Sequence, residues 1–546
     1  MPQYQYDYDQ ARRLTMITLP SGQQIENIYD DILLDEIHTP EGVIDFASYN
    51  NNQLQTVTMG TESIGYTYYG RLIKTETLSG TLSSNIVYDY NNDFALSGIM
   101  YAGSTSLFDY DDDGLLTLAG PFTVTPRAED GLPGQVTDGV MDLTRSFNGY
   151  GETDNQTVTV NAQNVAQWGL TYYDTGLIET KIETVNGTTR NYHYTYDDFG
   201  RLREVRDNGT LIEEYRYTDP GTGTPVGIRT YEMNSRYPAG RTYQYDNEDR
   251  LQSAGGTTFV FDLDGSLQSK TESGNTITYS YSLHGELLSV TLPNNDVIEY
   301  VHDPLGRRVA RKRNGTIEEK YLWRGQTQLL AVYDGSDILQ MRFEYGEDRM
   351  PYLMVKNGST YYLAYDHVGS LRAVTDANGQ VVKEIEYNSF GNIINTPSAF
   401  TVPFGFAGGL YDSDTGLIRF GARDYDPDVG RWTAKDPIFF YGGDVDLYGY
   451  VFNNPVNWFD PNGLKTGLVC KAECEIACRP GPWLFKKICK KLCKKDCQEP
   501  LDCNIVFFKK GEKCYSCQQC PGQPDPVCEE IQCTAEVEKL CPKEKE

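Results

Sequence analysis

One short pattern recurs along most of this chain: an aromatic residue, any residue, a second aromatic, usually Asp, two further residues, then Gly and often Leu. It reads YTYDDFGRL at Tyr194 to Leu202, FVFDLDGSL at Phe259 to Leu267, YSYSLHGEL at Tyr279 to Leu287, YVHDPLGRR at Tyr300 to Arg308 and LAYDHVGSL at Leu363 to Leu371. The Asp position falls at Asp262, Ser282 and Asp303, steps of 20 and 21 residues, and Asp366 follows 63 residues later. Self-similarity at such a period means a repeat architecture. Alternating aromatics make a strand with one buried face. Asp can bond the backbone just ahead of it and Gly accepts positive φ, so the Asp-x-x-Gly step is a turn and the Leu segment is the returning strand. A hairpin of this kind cannot bury its own face, so neighbours must line up side by side in a long sheet. The 41 Tyr and 52 Gly of the 546 residues belong to this scheme, with the tyrosines packing the sheet rather than forming a carbohydrate platform. The class is all-β, built of antiparallel hairpins.

Other features divide the chain. All 13 Cys lie between Cys470 and Cys541, and the last of the five His is His367. From Lys465 onward there are 15 basic and 13 acidic residues, so the tail is +2 and the preceding body carries −31 against a net charge of −29. An acidic body disfavours nonspecific nucleic-acid binding. No apolar run reaches the length of a membrane-spanning helix. The opening MPQYQYDYDQ lacks the basic and apolar regions of a signal peptide, so the expectation is either a truncated gene product or export by a route without a cleaved signal.

The sharpest segment is residues 405–464, GFAGGLYDSDTGLIRFGARDYDPDVGRWTAKDPIFFYGGDVDLYGYVFNNPVNWFDPNGL, crowded with Asp-Pro and Asn-Pro turn signals. The repeats resemble the YD repeat of bacterial RHS proteins and the related teneurin barrel. The 405–464 segment resembles the RHS repeat-associated core domain. This resemblance implies hairpins wound into a hollow, spiralling β-shell over 1–400, and a core module over 401–464 that plugs one end. It also implies that the module cuts the chain after its final DPxGL, here Asp460, Pro461, Gly463 and Leu464, at the Leu464–Lys465 bond. The residues it implies for catalysis are Arg423 and Asp424 in ARDYDP and Asp436 in AKDP. Two nearby carboxylates cannot both ionise cheaply, so one could activate water while the other donates a proton. Asp424 and Asp436 are therefore expected close together beside the scissile bond. Phe439 stands where the second motif often carries Gly. Read without the resemblance, the same Asp residues are turn formers.

The tail, 465–546, is where the resemblance puts a variable cargo. Cys470, Cys474 and Cys478, then Cys489, Cys493 and Cys497, are spaced by four, along one face of each of two short helices. A stapled pair would join Cys474 to Cys493 and Cys478 to Cys489. Cys514, Cys517 and Cys520 offer a metal-type spacing as the weaker alternative. The stretch WLFKKICKKLCKK at Trp483 to Lys495 reads as an amphipathic cationic helix suited to an anionic membrane surface, or as a plain solvated face. The combined expectation is a secreted or surface-located shell that releases a toxin-like tail, with an immunity protein and a secretion apparatus as partners and no cofactor. The alternative is a surface adhesion protein that releases nothing.

Overall fold

The computed structural model describes residues 3–50 and 52–464, and in the tail 504–510, 513–519 and 527–531. Contacts divide the chain into two compact units, Met1–Thr466 and Gly467–Glu546.

The first unit is dominated by a single antiparallel sheet of 37 strands, from Gln5–Tyr8 to Val381–Glu384. Each strand pairs with its neighbours in sequence, hairpin after hairpin. The repeat chemistry is visible in the Asp-x-x-Gly turns. At Asp197 the carboxylate accepts the N–H groups of Phe199 and Arg201, both at 3.0 Å, while Gly200 takes φ +78°. The same pair of bonds recurs at Asp246, Asp303 and Asp366. Where the motif has Ser282, its hydroxyl takes the carboxylate's place and accepts the Glu286 N–H at 3.1 Å.

Just before the motif turns the register slips by one residue, as between Thr195 and Tyr196 or Ala364 and Tyr365. Such a bulge re-aims the next side chain. In many repeats the second aromatic then reaches the preceding hairpin: Tyr196 donates to the Ile178 carbonyl at 2.7 Å, Tyr217 to Leu202 at 2.8 Å, and Tyr345 to Leu329 at 2.8 Å. Tyr68, Tyr90 and Tyr245 repeat the bond.

The sheet winds over itself. Arg307 pairs with Glu76 at 2.8 Å, the Tyr101 hydroxyl donates to the Phe343 carbonyl at 2.6 Å, and Tyr362 donates to Asp138 at 2.7 Å. One core cluster joins Val158 and Val160 to Leu353 and Ala373. A larger one joins Ile86 and Ile99 to Leu330 and Phe343, and these to Phe406, Tyr425 and Tyr450 of the segment after the sheet. Strands such as Leu371–Asp376 are consequently buried on both faces, whereas Gln5–Tyr8 is exposed.

That following segment forms a four-stranded antiparallel sheet, Leu410–Tyr411, Ile418–Phe420, Arg423–Asp426 and Arg431–Trp432. Its centre is aromatic, with Tyr425 and Tyr450 rings 4.6 Å apart and Trp432 packed against both. Polar bonds tie it to the large sheet, Lys270 to Asp426 at 2.8 Å and Tyr448 to the Gly265 carbonyl at 2.7 Å, and to the small hairpin Glu386–Tyr387/Ile393–Asn395, where Tyr425 donates to the Phe390 carbonyl at 2.8 Å. Among the described residues there is no α-helix, only three short 3-10 turns. In the second unit the described residues form a three-stranded antiparallel sheet, Asn504–Lys510, Lys513–Gln519 and Val527–Ile531.

Candidate functional site

The strand Arg423–Asp426 sends successive side chains to opposite faces. Arg423, 3% exposed, points toward the end of the first unit. Its Nε donates to the Gly463 carbonyl, Nη1 donates to the Leu447 carbonyl at 3.2 Å, and Nη2 meets Asp436 at 2.8 Å and Asp460 at 3.6 Å. The guanidinium also stacks over the Trp432 ring at 4.2 Å. Burial pulls the Arg423 pKa below its ordinary value, against Asp436, Asp460, Asp444 and Asp446, which pull it up.

Asp436 sits at the start of a tight turn. Its Oδ1 accepts the Ile438 N–H at 2.9 Å and its carbonyl accepts the Phe439 N–H at 2.9 Å. The turn puts Phe439 at φ +52°, the left-handed conformation that favours glycine. Its ring meets Tyr4 edge-on, with centroids 5.0 Å apart. Close packing brings the turn to the chain end: a Cβ on Gly442 would stand 2.7 Å from Asp436 Oδ2 and 2.8 Å from the Leu464 carbonyl oxygen. The final DPxGL is locked by its own residues. Asp460 Oδ1 accepts the Leu464 N–H at 3.1 Å, and Gly463 takes φ +66° where a Cβ would lie 2.5 Å from the Phe420 carbonyl oxygen. A cleft thus forms with Arg423, Asp436, Gly442, Asp444, Asp460 and Leu464 in its walls. Burial pushes the Asp444 carboxyl up to about 6.

Asp424 lies elsewhere. Its two oxygens are held by Arg308 and Arg419, each at 2.9 Å, and it does not line this cleft. The carboxylates of Asp424 and Asp436 are therefore bound by different arginines, because adjacent strand residues face opposite ways. The cleft instead holds Asp444 and Asp446, which the sequence reading passed over. The GGDVD run between the two motifs was the available signal. Pro461 lines a different cavity, described below. Lys465 and the Cys474, Cys478, Cys489 and Cys493 set lie outside the described residues, as do Cys520 and the expected helix at Trp483 to Lys495. Cys514 and Cys517 fall in the strand Lys513–Gln519, whose register sets Cys517 opposite Cys528.

This arrangement has the parts of a hydrolytic centre. A carboxylate flanks the Leu464 carbonyl, a cation fixes the preceding carbonyl, and a second carboxyl with a raised pKa is at hand. Residues 2–456 match the family described as Teneurin YD-shell. The chain belongs to that family. Its sequence is similar to Teneurin-3 of Danio rerio, 27% identical over 439 residues, covering 74% of this chain and 16% of the relative. It is also similar to Teneurin-1 of Homo sapiens, 29% identical over 407 residues, covering 71% and 14% respectively. The tRNA3(Ser)-specific nuclease WapA of Bacillus spizizenii is 27% identical over 279 residues, covering 50% of this chain and 12% of its own. This YD-shell chain therefore spans about a sixth or less of these relatives. Its fold matches the crystal structure of TcdB2-TccC3-Cdc42 with a TM-score of 0.59 at 16% identity, over 84% of this chain and 27% of that one. The expected all-β spiral shell is the fold of this YD-shell.

Proposed function

We propose that this YD-shell cuts its own chain at Leu464–Lys465 and so frees the Cys-rich tail. The observation that carries the reading is Arg423, which holds the Gly463 carbonyl and Asp436 together, with both the Leu464 carbonyl and Asp436 packed close to Gly442. In the proposed step Asp436 takes a proton from water as the water oxygen bonds to the Leu464 carbonyl carbon. The C–N bond then breaks, and the Lys465 nitrogen leaves with a proton supplied by a carboxyl of the cleft. Arg423 keeps the bond and the base in register. Asp424, clamped by Arg308 and Arg419, acts as a positioning residue for the strand that carries Arg423.

The kinship with WapA, a nuclease by name, supports reading the tail as an active cargo delivered outside the producing cell. On this reading the producer needs a secretion apparatus and an immunity protein, and the cationic stretch at 483–495 gives the tail an affinity for anionic membranes. Intact-mass measurement of the full chain tests the proposal. Wild type is expected to yield a fragment beginning at Lys465, and Asp436→Asn to remain whole. Uncut wild type, or equal cutting of both, would overturn it, the former in favour of a surface adhesion protein with no released cargo.

A further inference from the structure

Between the large sheet and the small core sheet lies a second cavity, on the opposite side of the Arg423–Asp426 strand from the cleft, and four arginines line it. Arg307 and Arg308 come from the YD turn and the strand Arg308–Arg313, Arg349 precedes the strand Pro351–Lys356, and Arg419 belongs to Ile418–Phe420. Trp323, Phe404 and Phe420 supply apolar wall. Arg307, Arg308 and Arg419 are 3%, 5% and 4% exposed.

The acids in contact with them fall short. Arg307 has Asp303 at 2.6 Å and Glu76 at 2.8 Å, but Arg308 and Arg419 share Asp424. Arg349 donates to the carbonyl oxygens of Ala407 and Val368 and lies over the Phe459 ring. Four cations thus face three contacting carboxylates, with Glu286, Asp348 and Asp366 acting on Arg419 and Arg349 only from beyond ion-pair distance. Hydrogen bonding tells the same story. Arg307 Nη2, Arg308 Nε and Arg419 Nε are buried without a partner among the described residues. Both ring nitrogens of buried His302 share that condition, and this ring feels the charges of Arg308 and Arg419. Burial depresses the pKa of Arg349 and Arg419, whereas the carboxylates beside Arg307 and Arg308 raise theirs against burial. The other buried arginine cluster, Arg229 with Arg241, also keeps unpartnered nitrogens, but its two cations meet two carboxylates, Glu232 and Asp428. Buried charged donors left unbonded are costly, and in folded proteins they mark a bound ion or water. Water would satisfy the donors but bring no contacting negative charge.

We infer that this cavity binds one small inorganic anion, which fastens the core sheet to the shell wall. The planar guanidinium forks suit a tetrahedral oxyanion or a halide.

The full-length chain is tested by thermal unfolding at fixed ionic strength and pH, replacing gluconate stepwise with chloride, sulfate or phosphate. At least one anion is expected to raise the wild-type midpoint saturably, by roughly 2 °C or more. Arg349→Met, which leaves all three carboxylate contacts intact, is expected to weaken that dependence at least tenfold. Sulfate also stabilises proteins by exclusion from their surface, but equally in both chains, so only the difference between them counts. Indistinguishable anion dependence in wild type and variant would overturn the inference and leave the cavity to water. Should the variant not fold, wild-type crystals grown in bromide decide: an anomalous peak among the four guanidinium groups supports the site, and its absence together with anion-independent unfolding of the wild type overturns it.

Discussion

Phe439 holds a backbone conformation that costs an ordinary residue about 1 kcal/mol or more. Its ring contact with Tyr4 offsets part of that. Comparing two truncations removes the ring from the comparison: Phe439→Gly is expected to be more stable than Phe439→Ala by about 1 kcal/mol in denaturant midpoint. Two titrating groups act on stability with opposite signs. The Asp444 carboxyl is raised in the folded state to about 6. The folded chain therefore binds its proton more tightly than the unfolded chain, and this contribution to stability is present below about pH 4 and lost as pH rises through 6. Asp444→Asn is expected to stabilise by roughly 1–2 kcal/mol at pH 7.5 and by much less at pH 4. His302 is lowered well below 6.5 by burial and by Arg419 and Arg308. Its contribution is present above pH 6.5 and lost on acidification, at up to about 1.4 kcal/mol per pH unit. His302→Phe, which keeps an aromatic at the motif position that Phe261 fills elsewhere, is expected to flatten the acid side of a midpoint-versus-pH curve, and an unchanged slope would remove His302 as its cause.

At the scale of the hairpin, the turn was legible in the sequence because its bonds are local: Asp197, Gly200 and Arg201 lie within five residues of one another. Alternation of the aromatics was legible for the same reason. The target of the tyrosine hydroxyls was not. Tyr196 reaches Ile178, in the hairpin before, and only because a bulge next to it turns the ring. The bond makes the tyrosine more than apolar filling, and it gives residues at the start of return strands, such as Ile178, Leu202 and Leu329, a second role through their carbonyls. Tyr196→Phe and Tyr217→Phe keep the ring and remove the hydroxyl, so each is expected to cost about 1 kcal/mol. Acting on successive hairpins that share no bond, the two should be nearly additive in urea unfolding. A loss of only a few tenths in both would mean that ring packing alone carries the repeat.

For the molecule as a whole, the core module is not self-sufficient. Asp424, Asp426, Asp412 and Tyr448 each find their partner on the large sheet, at Arg308, Lys270, Arg311 and Gly265. Residues 401–464 expressed alone are expected to give a collapsed amide NMR spectrum, and to regain dispersion only when the shell strands are present. The same dependence explains what could be read of the candidate site beforehand. Arg423, Asp436 and the DPxGL end were legible as motif positions, and they meet in the structure. The parting of Asp424 from Asp436, and the entry of Asp444, depend on which face of a short strand meets the wall, and no local pattern encodes that. The winding of the large sheet has one more consequence. A meander in which every strand bonds only to its chain neighbours could gain or lose a duplicated hairpin without disturbing any pairing. Contacts such as Arg307 with Glu76 and Tyr362 with Asp138 forbid it, because they match one lap of the sheet to the next. A gene of this kind is free to drift in the letters of its repeats, but in-frame duplication or deletion of a single repeat inside the lap shifts every later match, so repeat number is inherited more strictly than repeat sequence.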